Sequence, residues 1–583
     1  MKQSILIHLT VPEREPMGPG SFDYRPRSIE DWLQNLPVAN LGLTSRTIYE
    51  SLHSSNRQEL PPSMRLHYLE QLREIVRYIG AGLRKQYLGR GLPLRAKPTR
   101  IVTLAVRLLQ EMALGYEILV ETAREHHSLR FSRRHFACAL DRAIRYRARV
   151  LLENWVVYQP APVGTWRRLH DLYAITEQSG LGEQRVADPL LDGPHKRSTP
   201  AQAYRQVLLL AAAAPQRMHH SDILDAYRLL EHWASAAQLV KADHPRAGEA
   251  LFRVSFALDE PALPCAIGAP GPQRRFLITN PLLRLIEQEF AGTAKGAFWR
   301  RKPLTDINPE LSSRLLLALG AVEGRRRQSR MRINTRVQAI LGLSAIHRVL
   351  SHDLGQEFET VVDPMHERFQ SREVHSVDFE ERNVWDLIYP TTLNTVTESE
   401  QRQPKHDASQ HLQPEESLDW SLVNVSAGGY CLVSGPEQNL RAHVGELIAI
   451  RDITDGGRPW QLGAVRWMRA MSEQTLQIGM QILALNPSPI QLRAEHSDHR
   501  FGPVERGLLL PAMTATDQPA TLIAPGRHYM RQRLVRARYG LRESVVELSR
   551  ELDATAHYVQ FEFRDSDVLD TEMAALGGIV PIS

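Results

Sequence analysis

The stretch Asn424-Val425-Ser426-Ala427-Gly428-Gly429 follows a strand-like run, Trp420 to Val423, and the fold of this 583-residue chain is best read outward from it. It spells NxSxxG through Asn424, Ser426 and Gly429. A short amide and a hydroxyl turn the chain locally, and glycine lets the backbone approach a flat ring closely. Well upstream stands a second stretch, Arg325-Arg326-Arg327-Gln328-Ser329-Arg330, just ahead of an apolar, strand-like segment from Val337 to Leu343. Within it Arg326 and Arg330 have an RxxxR spacing. An arginine can donate two parallel hydrogen bonds to O6 and N7 of guanine, stack on a purine face, and pair bidentately with phosphate. A basic run standing alone reads as a solvated linker or a phosphate-attracting patch. The companion stretch changes that reading, because together the two suit a ligand that carries both guanine and phosphate.

Two further pieces follow in order, Gly463-Ala464-Val465-Arg466-Trp467 and Ile478-Gly479-Met480-Gln481-Ile482. The ordered set of four, with strand patterns between, resembles the PilZ domain, a small β-barrel that in bacteria is a receptor for cyclic di-GMP. The resemblance implies that Arg326 and Arg330 fold over the ligand while Asn424, Ser426 and Gly429 hold a guanine. Arg325 stands where the family tunes how many ligand molecules bind, and an arginine there leans toward an intercalated pair. Arg466 reads either as a further ligand contact or as a solvated strand arginine, and Trp467 as a core or rim residue of the barrel. The class implied is a bacterial second-messenger effector that couples cyclic di-GMP to pilus or flagellar motility, or to exopolysaccharide and biofilm output, through a protein partner. An adaptor with a ligand-free barrel, acting by protein–protein contact alone, is the alternative.

The composition limits other readings. A chain this long needs several domains. With 43% hydrophobic and 23% charged residues it has ample apolar surface to bury. Lys and Arg number 71 against 66 Asp and Glu, and the resulting formal charge of +5 does not imply wholesale nucleic-acid binding. Cys138, Cys265 and Cys431 are far apart, show no paired spacing, and read as small buried hydrophobes in a reducing compartment. The apolar run Ile5 to Leu9 is too short for a secretory signal, and no run approaches the roughly 18 apolar residues of a membrane helix. The expectation is a cytoplasmic protein.

Residues 1–43 read as an extended leader broken by Pro12, Pro16, Pro19, Pro26 and Pro37, with a short turn after Ser28. Residues 44–320 read as mainly helical, a bundle or TPR-like stack serving as scaffold and partner surface. Leu66, Leu69, Leu72, Ile75, Val76 and Ile79 recur at threes and fours after Pro61-Pro62. Further helices are expected after Pro98, Ser132, Thr165, Thr199-Pro200, Ser221-Asp222 and Asn280-Pro281, and from Ser312 to Leu319. Phe252, Val254, Phe256 and Leu258 alternate as a strand does. The pairs His126-His127 and His219-His220 lack the one-face spacing of a helical zinc site and read as surface or capping residues. No GxxxxGK[ST], GxSxG or CxxC is present, so no catalytic, metal or cofactor residue is nominated and the chain is not expected to be an enzyme.

The C-terminal half reads as an antiparallel barrel over 321–345 and 418–490, interrupted by an insertion over 346–417. The gap exceeds any simple loop. Its first part, Gln356 to Tyr389, carries enough apolar residues to pack locally, and Thr397 to Ser417 is a polar linker. Val444 to Ile450, Trp460 to Trp467 and Leu476 to Ile482 are strand candidates, with a hairpin signal at Asp455-Gly456-Gly457. Residues 500–583 read as a second small β-rich unit, with strands at Leu508 to Leu510, Thr521 to Ile523, Arg533 to Arg538, Ser544 to Leu548 and Val559 to Phe563. Six arginines from Arg527 to Arg542, interleaved with Tyr529 and Tyr539, read as a nucleic-acid strand site or as a polar strand face balanced by Glu543 and Glu547.

Overall fold

The computed structural model describes residues 8–18, 21–125, 132–192, 196–241, 251–265, 274–294, 309–320, 331–356, 358, 418–426, 428–435, 442–453, 459–471, 475–494, 502–512, 519–526, 529, 534–540 and 542–565. They build a multidomain α+β chain that divides into two compact units, one helical and one holding two closed barrels.

The helical unit begins with α1 (Pro26–Gln34), α2 (Leu41–Ser55), α3 (Pro62–Tyr87), α4 (Ala96–Glu125), α5 (Arg133–Trp155) and α6 (Thr165–Gln178). A ribbon of β1 (Val186–Ala187) and β2 (Arg197–Ser198) precedes α7 (Pro200–Ala212) and α8 (His220–Trp233). A four-stranded antiparallel sheet follows, β3 (Gln238–Val240), β4 (Leu251–Ser255), β5 (Leu263–Pro264) and β6 (Arg274–Ile278), in the order β3-β6-β4-β5. Helices α9 (Asn280–Ala294) and α10 (Pro309–Gly320) complete the described part.

Local chemistry sets the helix starts. The Ser132 hydroxyl caps α5 by accepting from His135 N. At α7, Thr199 accepts from Gln202 N while Gln202 Oε1 accepts from Thr199 N, a reciprocal cap followed by proline at the first helical position. His219 is a capping residue too, its ring accepting from Ser221 N at the start of α8. The supposed leader is instead helical over α1, because Pro26 presets the first turn and Trp32 packs through Phe22, itself edge-on to Tyr24, while Tyr24 reaches Tyr68 of α3.

Helix α4 packs against both α3 and α5, and Gly115 allows the close approach: a Cβ there would lie 2.8 Å from Leu69. The seam is not purely apolar. Arg142 of α5 donates to Glu70, to Asp141 at 2.7 Å and to Asp188 at 2.9 Å, and also to the Ala187 carbonyl. Arg73 reaches Asp188 at 2.6 Å, and Arg145 joins Asp141 to Ser198. This network ties the β1–β2 ribbon to the bundle, and each buried guanidinium is matched by a carboxylate. Burial by itself would raise the Asp188 carboxyl, but Arg142 and Arg73 beside it hold it below the ordinary carboxylate range.

The first barrel is β7 (Met331–Leu341), β8 (Leu418–Ser426), β9 (Gly429–Ser434), β10 (Leu447–Asp452), β11 (Gln461–Ala470) and β12 (Leu476–Leu485), closed in the order β10-β11-β12-β9-β8-β7. Between β7 and β8 lies α11 (Leu343–Asp353). The second barrel is β13 (Ser488–Ala494), β14 (Glu505–Leu510), β15 (Thr521–Ala524), β16 (Leu534–Tyr539), β17 (Arg542–Ala554) and β18 (Val559–Asp565), closed in the order β13-β14-β15-β18-β17-β16. Every pairing in both is antiparallel.

Three departures from the sequence reading bear on function. The first strand ends at Leu341, not Leu343: Gly342 takes φ of 86° and turns the chain into α11, whose Leu343, Ile346 and Leu350 form one buried face. Residues 346–353, expected to open an insertion, therefore belong to a helix that packs on β7 and β10 of one barrel and on β13 and β14 of the other. The second barrel begins at Ser488 rather than near 500, and only Asn486 and Pro487 separate it from β12. The continuous run Leu508-Leu509-Leu510 is explained by burial of both faces: Leu509 points into the second barrel's own core, while Leu508 and Leu510 join a shared core with Ile346, Trp460 and Leu462. Residues 359–417, where the local packing and the polar linker were expected, lie outside the described residues, as do His126-His127 and the Asp455-Gly456-Gly457 turn.

Asp188→Ala should lower the unfolding free energy of the helical unit by about 1–3 kcal/mol, because Arg73 and Arg142 lose a buried acceptor while keeping Glu70 and, for Arg142, Asp141. Urea titration followed by circular dichroism measures this. Since the Asp188 carboxyl is depressed in the folded state, its contribution is present above its unfolded value of about 4 and drains as pH falls through the lower folded value. The gap between wild type and Asp188→Ala should therefore narrow on acidification below that point.

Candidate functional site

The NxSxxG stretch is the β8–β9 hairpin. Asn424 pairs with Cys431 and Ser426 with Gly429 across it, and the Ser426 hydroxyl donates to the Gly429 carbonyl at 3.1 Å. Asn424 faces a second strand on its other side, because β7 runs antiparallel to β8 with Arg332 opposite Asn424 and Met331 opposite Val425. Arg325, Arg326 and Arg330 themselves lie outside the described residues. Their point of entry does not, since Met331 directly follows Arg330 and successive Cα atoms are about 3.8 Å apart. The long segment between β7 and β8 leaves this ladder intact. It inserts at the opposite end of β7, after Leu341, so Met331, the residue that follows the arginine run in sequence, stays beside the hairpin.

The hairpin forms one wall of a cavity of about 230 Å³. Asn424, Ser426, Gly429, Arg466, Trp467 and Gln481 line it, so four residues singled out in the sequence converge on one place. Trp467 lies on the rim, half-buried, and its indole occupies the space above Gly479 that any side chain would fill. Gly429 is equally constrained: an added Cβ would overlap the Met480 carbonyl on the neighbouring strand. Tyr430 donates its hydroxyl to Gln461 Oε1 at 2.7 Å, and burial raises its phenol above the ordinary value. The cavity thus offers a flat aromatic surface, a hydroxyl, two side-chain amides and a guanidinium, which suit a polar planar base better than an apolar ligand.

Arg466 is neither free nor merely solvated. Its Nε donates to Gln481 Oε1 at 2.7 Å and its Nη2 to Asp553 Oδ2 at 2.6 Å. No motif singles out Asp553, which comes from β17 of the second barrel. A strand glycine such as Gly479 does carry a signal, since glycine inside an alternating strand marks a close approach, and here the approaching group is Trp467.

A closed six-stranded barrel with NxSxxG on a rim hairpin and an arginine run entering the adjacent strand defines a PilZ-domain protein. Three family models match in order: the N-terminal domain of the cyclic-di-GMP receptor FimW over residues 27–244, its middle PilZ domain over 251–489, and its C-terminal β-barrel domain over 490–566. The chain belongs to the FimW family, which is described as a family of cyclic-di-GMP receptors. It is 28% identical to the cyclic-di-GMP receptor FimW of Pseudomonas aeruginosa over 98% of this chain and 95% of that one. No solved structure matches. The boundary at 490 between the middle and C-terminal models falls within β13, close to where the second barrel starts. No described helix is long and apolar enough to cross a membrane.

Gly479→Ala should expel the Trp467 ring from its seat and cost about 1–3 kcal/mol, as overpacking generally does. A lower melting temperature, together with a changed near-ultraviolet circular dichroism spectrum, is the expected result.

Proposed function

We propose that the cavity of the first barrel binds cyclic di-GMP and that this binding is the input of a signalling effector. The observation that carries the reading is the β7–β8 register, which sets Met331, the residue after Arg330, opposite Val425 beside the NxSxxG hairpin. In the proposed complex Asn424, Ser426 and the bare backbone at Gly429 hold one guanine, with Trp467 and Arg466 at its margin. Arg326 and Arg330 close over the other face and over the phosphates, as guanidinium groups can do with both. Arg325 adds a further donor and favours a pair of ligand molecules. The similarity to a relative described as a cyclic-di-GMP receptor supports the same ligand.

The output belongs to a protein partner. The helical unit is the surface proposed to meet it, and the arginine run leads into β7 from that half, so ordering the run on ligand binding is suited to act as a hinge. Pilus or flagellar motility, or exopolysaccharide production, is the proposed consequence, in the cytoplasm of a bacterium. Nucleic acid is not part of this proposal, since the Arg536 side chain faces Glu543 at 3.4 Å, in keeping with a charge-balanced strand face.

Isothermal titration of the full chain with cyclic di-GMP tests the input. Saturable binding is expected, with a stoichiometry near two if Arg325 acts as proposed. Arg326→Ala and Arg330→Ala should each weaken it by about 1.5–3 kcal/mol, roughly ten- to a hundredfold, the usual worth of a charge-assisted hydrogen bond. Absence of heat from the wild type would instead favour the ligand-free adaptor, and unchanged affinity in both variants would remove the arginines from the site.

A further inference from the structure

The pair formed by Arg466 and Asp553 joins the cavity of the first barrel to a strand of the second, and the four PilZ-like stretches do not account for it. We propose that Asp553 is a positioning residue for the ligand site, holding the Arg466 guanidinium in the orientation that a guanine or phosphate meets. The inference rests on the nucleotide reading given above.

Four observations support it. First, the guanidinium is pinned at two points, Nε to Gln481 and Nη2 to Asp553, which fixes its plane along the cavity wall. A guanidinium has five N–H donors, so three of the five are not engaged by this pair of bonds. Second, the anchor is itself anchored: the same Asp553 oxygen accepts from the Tyr558 hydroxyl at 2.6 Å, and Tyr558 is fully buried in the core shared by the barrels. Burial keeps the Tyr558 phenol above its ordinary value, against the lowering pull of Arg466 and with the help of the Asp553 carboxylate, so it stays a donor. Third, the β17–β18 ladder slips by a residue between Glu551 and Asp553, the kind of irregularity that re-aims a side chain out of the regular strand pattern. Fourth, Arg466 and Asp553 remain partly open to solvent at 32% and 24%, so a ligand in the cavity can reach the guanidinium without dismantling the barrel contact.

An arginine held this way has already surrendered the rotamer freedom that a loose one would lose on clasping its ligand, so the second barrel contributes affinity without touching the nucleotide. The rival reading is that Asp553 only glues the barrels together.

A double-mutant cycle on the full chain separates the two, with cyclic di-GMP as the probe in calorimetry. Asp553→Ala and Arg466→Ala should each raise Kd at least about fivefold, and the double variant should bind no worse than Arg466→Ala alone, because Asp553 acts through Arg466. Tyr558→Phe, which loosens Asp553 and keeps its charge, should give a smaller loss, and Asp553→Asn should fall between wild type and Asp553→Ala. These two carry the test if the alanine variant fails to fold. Wild-type affinity in the Asp553 variants, even with a lowered melting temperature, overturns the inference, and so do losses that multiply in the double variant. A wild type that binds no cyclic di-GMP removes the underlying reading instead.

Discussion

The antiparallel ladder between β7 and β8 is the constraint on which the site depends. Main-chain hydrogen bonds fix Arg332 against Asn424, and a slip of one residue would turn every side chain of β7 to the other face of the sheet. Val337, Ala339 and Ile340 are buried in the same strand and hold the register of its far end, while an irregularity between Arg332 and Thr335 sets the near end, where Arg332 and Met331 lie against Asn424 and Val425. One strand thereby couples the place where the arginines enter to the place where Gly342 turns the chain into α11.

The helical unit is held by a different balance. Its long helices bury ordinary aliphatic faces, yet the seam carries Arg73, Arg142 and Arg145 against Glu70, Asp141 and Asp188. A buried ion network of this kind adds little net stability over well-packed apolar residues, because removing the charges from water costs what their attraction returns. What the charges do fix is position. Arg142 grips both the carboxylate of Asp188 and the carbonyl of Ala187, which leaves the β1–β2 ribbon one place to sit.

Much of this was legible in the chain because the signals are local. Ser132 and Thr199 cap the helices they were expected to cap, and α3 fills its spacing of leucines from Pro62 onward. In the second barrel five of six strands were anticipated from short apolar runs between turn residues. The failures have local causes as well. Strand β9 was hidden because Gly429 reads as the end of a loop, whereas it is the first residue of the returning strand. Helix α11 was obscured because Ile340 to Leu343 prolongs an apolar run across the glycine that ends it. At the site, Asn424, Ser426, Gly429 and Arg466 were visible as residue types at motif spacing, and they do share one cavity. Asp553 was invisible, since a single carboxylate in an acidic strand, far along the chain, gives no hint of which arginine it will meet.

The link between the barrels has a mechanical consequence. Leu485 ends one and Ser488 begins the other, so the tether is two residues long and the strand ends lie at most about 11 Å apart. Its Asn486 amide is bonded to the Trp460 carbonyl, and α11 wedges apolar side chains from both barrels into one mass. So short a tether, with a shared core beside it, leaves the two cylinders little room to rotate independently of each other.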